Sequence, residues 1–175
     1  MAIEDAARKG IERGDVARRS DAREATPPTG LELRAMRAAD LDDVLAIEHV
    51  AFAMPWSSIT YRNLLRRRDA ELLVAELPGP GVVGYTVCWR VLDEAELGNI
   101  AVAPAWRGRG VARALLERVI VRAAAKGVRA LFLEVRVSNE RARRLYAAAG
   151  FRQVGMRRNY YAFPLEDALV LRRDV

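Results

Sequence analysis

The chain has 175 residues, a hydrophobic content of 51%, a formal charge of +6 and a single histidine and cysteine, His49 and Cys88. That is the size of one domain with a sizeable core, and the lone His and Cys exclude a Cys/His structural zinc site and an intrachain disulfide. No apolar run reaches membrane-spanning length, no signal-peptide core opens the chain, and the basic balance suits a polyanion such as a phosphorylated cofactor or an RNA–protein particle.

Residues 1–30 alternate acids with bases and end in Pro27-Pro28-Thr29-Gly30. This composition predicts a flexible charged leader and linker, with the folded domain over residues 31–175. A first strand is expected at 31–37, then a helix capped by Asp40, with Leu41, Val44, Leu45 and Val50 near helical spacing. Pro55-Trp56-Ser57-Ser58 breaks that helix, and either serine can cap a second one that closes at Arg66-Arg67-Arg68.

Residues 71–77 and 82–92 read as a hairpin around Pro78-Gly79-Pro80-Gly81, with the next strand at 96–102. Cys88 sits in an apolar run and reads as a small core residue rather than a nucleophile. Then comes Arg107-Gly108-Arg109-Gly110, followed by a helix on which Val111, Leu115, Leu116, Val119, Ile120 and Ala123 share a face, with Gly127 as its stop. Residues 130–137 form a strand with Phe132, Glu134 and Arg136 opposite an aliphatic stripe. A short helix over 138–149 and strands at 151–158 and 168–172 complete the chain.

The fold class is α/β: a mixed sheet, mostly antiparallel, with one parallel strand–helix–strand unit. The glycine turn before the helix is an anion site, because the first helical N–H groups lack intrahelical acceptors and the macrodipole adds positive potential. It is neither a P-loop nor a dinucleotide fingerprint, since no Gly-Lys-Ser/Thr follows and the third glycine is missing.

Around that turn, Arg107-Gly108-Arg109-Gly110-Val111-Ala112 and the later Ser138-Asn139, Leu145-Tyr146 and Gly150-Phe151 resemble the two signatures of the GNAT superfamily of acyl-CoA N-acyltransferases. Phe52-Ala53-Met54-Pro55-Trp56-Ser57, Leu133-Glu134-Val135-Arg136 and Arg157-Arg158-Asn159-Tyr160-Tyr161 look like its RimI branch, which acetylates the N-terminal alanine of a ribosomal protein. The resemblance spans residues 31–171 and implies a centrally splayed sheet flanked by helices, with acetyl-CoA as cosubstrate and no metal.

It also implies roles. Ile100, Ala101 and Val102 would offer main chain to the pantetheine arm and acetyl group; Arg107, Gly108, Arg109, Gly110, Val111, Ala112 and Arg113 would hold the pyrophosphate; Asn139 would bind the cofactor arm. Glu134 would be general base and Tyr146 general acid, with Trp56, Tyr160 and Tyr161 on the peptide side. Glu94 and Glu96 are rival bases, and Asn139 also fits a simple helix cap. Transfer is expected to be direct, in a ternary complex, in the cytoplasm, without membrane or direct nucleic-acid binding. The rival readings are an acetyltransferase for another protein N-terminus, a lysine or a small amine, and a non-enzymatic RNA- or ribosome-binding module that uses the loop for RNA phosphates.

Overall fold

The structure, a computed structural model, describes residues 25–175. The larger part of the expected leader, residues 1–24, lies outside the described residues. Among the described residues seven strands form one sheet: β1 (Glu32–Ala35), β2 (Ala70–Leu77), β3 (Gly81–Val91), β4 (Glu94–Val102), β5 (Ala130–Arg136), β6 (Arg152–Ala162) and β7 (Leu165–Asp174). Their order is β1-β2-β3-β4-β5-β7-β6. The helices are α1 (Leu41–Ala51), α2 (Ser58–Arg66), α3 (Val111–Ala125) and α4 (Glu140–Ala148).

Every neighbouring pair is antiparallel except β4 and β5, which are joined by α3 and run parallel. Their shared register covers only Glu94↔Ala130, Ala95↔Leu131 and Glu96↔Phe132. Beyond Glu96 the strands part. Gly98 is the cause on the β4 side: Leu97 pairs with Cys88 and Asn99 with Val87, so Gly98 is the extra residue of a bulge. A bulge bends its strand and increases local twist, and here it turns β4 away from β5.

The core has two halves, one on each face of the sheet. One packs α3 against the sheet through Leu115, Leu116 and Val119; the other packs α1 and α2 through Val44, Ile47, Tyr61 and Leu64. Leu115 and Leu116 are fully buried, and each contributes about 1.5–3 kcal/mol relative to exposure. The predicted apolar stripe of α3 is the observed one, and Gly127 ends the helix at φ +76°.

Three local expectations change. Val50 is exposed, and the buried face of α1 carries Ile47 and Glu48 instead. Asp40 does not cap α1 through its side chain; its carboxylate accepts the Arg37 N–H at 2.7 Å and pairs with Arg34. The final hairpin is longer than expected, since β6 runs on to Ala162 and β7 starts at Leu165. Ser57 is the serine that caps α2, accepting the Thr60 N–H at 3.2 Å.

Candidate active site

The divergence of β4 and β5 opens a cleft of about 910 Å³ at the centre of the sheet. Alternation along β4 decides what faces it. Ala103 donates its N–H to Val83 of β3, so Val102 presents its main chain to the opposite edge, and by the same period Ile100 does too. The Val102 carbonyl there accepts from Arg107 Nε at 2.9 Å.

After β4 the chain turns at Pro104–Trp106 and enters the loop before α3. Gly108 and Gly110 sit at φ +80° and +75°, a left-handed region that favours glycine. A Cβ built on Gly110 would stand 3.0 Å from the Pro27 nitrogen and closer still to the Ala25 carbonyl, so the segment before β1 crosses the loop at this point. The arginine heads are partly engaged: Arg107 on Val102, Arg109 over the Trp106 ring at 4.9 Å, and Arg113 on Glu117 at 2.7 Å. The first turn of α3 carries no acidic side chain, so nothing in that turn opposes the main-chain N–H groups and the helix dipole at the anion site. Arg141 of α4 faces the same loop, with Nη2 3.8 Å from a Cβ built on Gly108.

Glu96 and Glu134 both line the cleft, from adjoining strands. Glu94 is exposed and lies outside the cleft lining. Burial, and next the neighbouring Glu134, push the Glu96 carboxyl above its ordinary value. Glu134 pairs with Arg157 of β6, Nη2 to Oε1 at 3.0 Å. Tyr146 of α4 is buried against Phe151, ring centroids 5.8 Å apart, and lines the cleft. Burial raises its phenol well above the ordinary tyrosine value. Asn139 both lines the cleft and caps α4, its Oδ1 accepting the Ala142 N–H at 3.1 Å.

Trp56, Tyr160 and Tyr161 line the other side. Trp56 packs on Trp89 with centroids 6.4 Å apart, and Gly98 is required because a Cβ there would run into the Trp89 ring. Tyr160 and Tyr161 meet edge to face at 5.1 Å, and Arg136 stacks on Tyr161 at 4.1 Å.

Beneath this wall lies Glu48, which none of the sequence motifs above singles out. Glu48 is fully buried and accepts hydrogen bonds from Trp56 N–H at 2.8 Å, Tyr61 Oη at 2.9 Å, Asn99 Nδ2 at 3.2 Å and Tyr85 Oη. Its signal was present: Leu41, Val44 and Glu48 share helical spacing, which puts a charge on an apolar face.

The profile of the acetyltransferase (GNAT) family matches residues 41–151. The chain belongs to that family. It is 40% identical over 139 residues to the ribosomal protein bS18-alanine N-acetyltransferase of Haemophilus influenzae, covering 78% of this chain and 93% of the relative. The crystal structure of the ribosomal-protein-S18-alanine N-acetyltransferase from Escherichia coli superposes with a TM-score of 0.77 at 35% identity, covering 83% of this chain and 94% of that one. Ard1 from Thermoplasma volcanium gives the same TM-score at 26% identity, covering 83% and 98%.

GNAT enzymes use acetyl-CoA, and the cleft suits it. The glycine loop would take the pyrophosphate, and the β4 edge at Ile100 and the Val102 N–H would take the amide-bearing arm; the Val102 carbonyl is held by Arg107, and Ala101 turns its main chain to β3 opposite Tyr85. Among the described residues there is no His, Cys, Asp and Glu cluster able to hold a metal ion, and no helix is long and apolar enough to cross a membrane. Cys88 is buried in the core, its thiol pushed up to about 12 chiefly by burial.

Proposed function

We propose that this enzyme acetylates the N-terminal α-amine of an alanine on a ribosomal protein, the counterpart of bS18. The observation that carries this reading is the meeting, in one cleft, of a carboxylate from β5, a phenol from α4 and the main-chain edge of β4 at Ile100. The names of the relatives point to the same substrate.

Acetyl-CoA supplies an activated acyl group on a sulfur that leaves. The chain's own groups do the rest. Glu134 takes a proton from the incoming amine, directly or through a water, since only the neutral amine attacks. Main-chain N–H groups at the end of β4 stabilise the negative oxygen that develops on the acyl carbon. Tyr146 gives its proton to the departing sulfur. Transfer is direct: the buried Cys88 has neither the thiolate character nor the access of a nucleophile. Trp56, Tyr160 and Tyr161 contact the peptide behind the amine.

The amine class follows from acid–base chemistry. An α-amine has a reference pKa of about 8 and a lysine amine about 10.4, a difference of about 3 kcal/mol in reaching the neutral form. A carboxylate base is better matched to the α-amine. On this reading the enzyme works in the cytoplasm, and direct nucleic-acid binding is not part of it.

A peptide panel tests it: Ala-initiated peptides should be acetylated well ahead of peptides whose only free amine is a lysine. Intact masses of ribosomal proteins, with and without this gene, should differ by one acetyl group on a single protein. Preference for lysine side chains would transfer the reading to lysine acetylation, and RNA binding with a steep salt slope but no acetyl-CoA binding would end the enzymatic one.

A further inference from the structure

Glu134 does not stand alone in the cleft. The cation paired with it is Arg157, and the pair is made over distance: β7 separates β5 from β6 in the sheet, so Arg157 reaches across a whole strand. A built feature aims it. The β6–β7 register shifts between Arg157 and Tyr161, Asn159 sits at φ +52°, and the Asn159 N–H is fixed by Asp167 Oδ1 at 2.8 Å. Bulges of this kind re-aim side chains next to functional sites.

The two partners differ in exposure. The Glu134 side chain is 14% exposed and that of Arg157 58%. Arg157 also has a second support, since its guanidinium lies over the Tyr160 ring at 5.4 Å. It can leave Glu134 without losing every partner.

The substrate of the reaction proposed above arrives as a cation, because an α-amine near neutral pH is mostly protonated. To give up its proton it must approach Glu134. An ammonium and a guanidinium cannot occupy one carboxylate oxygen without like-charge repulsion in a partly desolvated site.

We propose that Arg157 is a placeholder for the substrate's α-ammonium, pairing with Glu134 until an incoming N-terminus displaces it onto Tyr160 and solvent. One cation replaces another, so the charge of the cluster is conserved and the half-buried Glu134 is not left uncompensated. The exchange makes the subsite selective for a cationic chain end. A neutral group has no means of displacing Arg157. This inference rests on the reading of the cleft as an α-amine site.

Titration calorimetry on the full chain loaded with coenzyme A, in which no transfer can occur, tests it. The ligands are an Ala-initiated peptide and its desamino analogue, which has the same length but no ammonium. R157Q should bind the amine peptide about two- to fivefold tighter than wild type, the range of an exposed ion pair, and bind the analogue unchanged. Equal or weaker binding of the amine peptide to R157Q, or an equal gain for the analogue, overturns the placeholder. If wild type itself does not prefer the amine peptide to its analogue, the α-amine reading fails and the placeholder with it. Wild-type preference without a gain in R157Q removes the placeholder alone.

Discussion

Trp56 donates its main-chain N–H to Glu48 Oε1 across 2.8 Å, and through that bond the loop between α1 and α2 hangs from a fully buried carboxylate. The same carboxylate takes Asn99 of β4. One side chain therefore sets the spacing between the aromatic wall of the cleft and the strand that borders its other side.

E48Q should destabilise the fold by about 1–3 kcal/mol at pH 7, because an amide N–H₂ would replace one acceptor oxygen, so hydrogen bonds that Glu48 accepts would be lost or reversed at a fully buried site. Its pH dependence has a definite sign. Burial, the largest influence, holds the Glu48 carboxyl above its ordinary value. Such a group contributes stability that is present below its unfolded pKa and lost as pH rises through the folded one. The gap between wild type and E48Q should therefore widen between pH 7 and pH 4 in urea titrations. A narrowing gap would mean that the four donors outweigh burial.

E134Q should lower kcat by about 10²–10⁴-fold, the usual range for a general base, with little change in acetyl-CoA affinity by calorimetry. E96Q should lower it far less, and E94Q, outside the cleft, should not change it. A larger loss in E96Q than in E134Q would move the base to β4.

Y146F should lower kcat by a similar order while keeping the melting temperature close to wild type, since the ring packing on Phe151 survives. Wild-type turnover in Y146F would remove the phenol as proton donor.

G110A and G127A form a matched pair. Both glycines lie near φ +75°, where an added Cβ costs about 1–2 kcal/mol. The Cβ of G127A meets open space, while that of G110A meets Ala25 and Pro27. Both variants should melt earlier, but only G110A should weaken acetyl-CoA binding. Equal cofactor affinity in the two would place the pyrophosphate away from this loop.

What could be read in the residues divides along physical lines. α3 and β5 were legible because periodicity over many residues leaves no competing register. The anion loop was legible because it is local, but the fate of its arginine heads was not: Arg107 turns back to Val102 by a contact no spacing encodes. Glu94 and Glu96 share a strand face by alternation, and only the point where β4 leaves β5 separates them. β6 extends beyond the predicted strand at 151–158, because its side chains are exposed on nearly every position and leave no alternation to follow past Arg158. Arg157 found its partner across a strand, through a bulge at Asn159 that no turn motif announced. Glu48 is not legible in the sequence because a charged residue reads as solvent-facing, whereas here neutral donors from the α1–α2 loop, α2, β3 and β4 surround it.

The three-pair seam between β4 and β5 has a consequence for how this molecule protects its amides. In most sheets the central rungs exchange hydrogen most slowly. Here amides of Ile100 and Val102 face an open seam at the middle of the sheet, so slow exchange should belong to the flanks, β2 with β3 and β5 with β7. Saturation with acetyl-CoA should invert that map and make the centre of the sheet its most slowly exchanging part, as though the cosubstrate supplied the missing rungs.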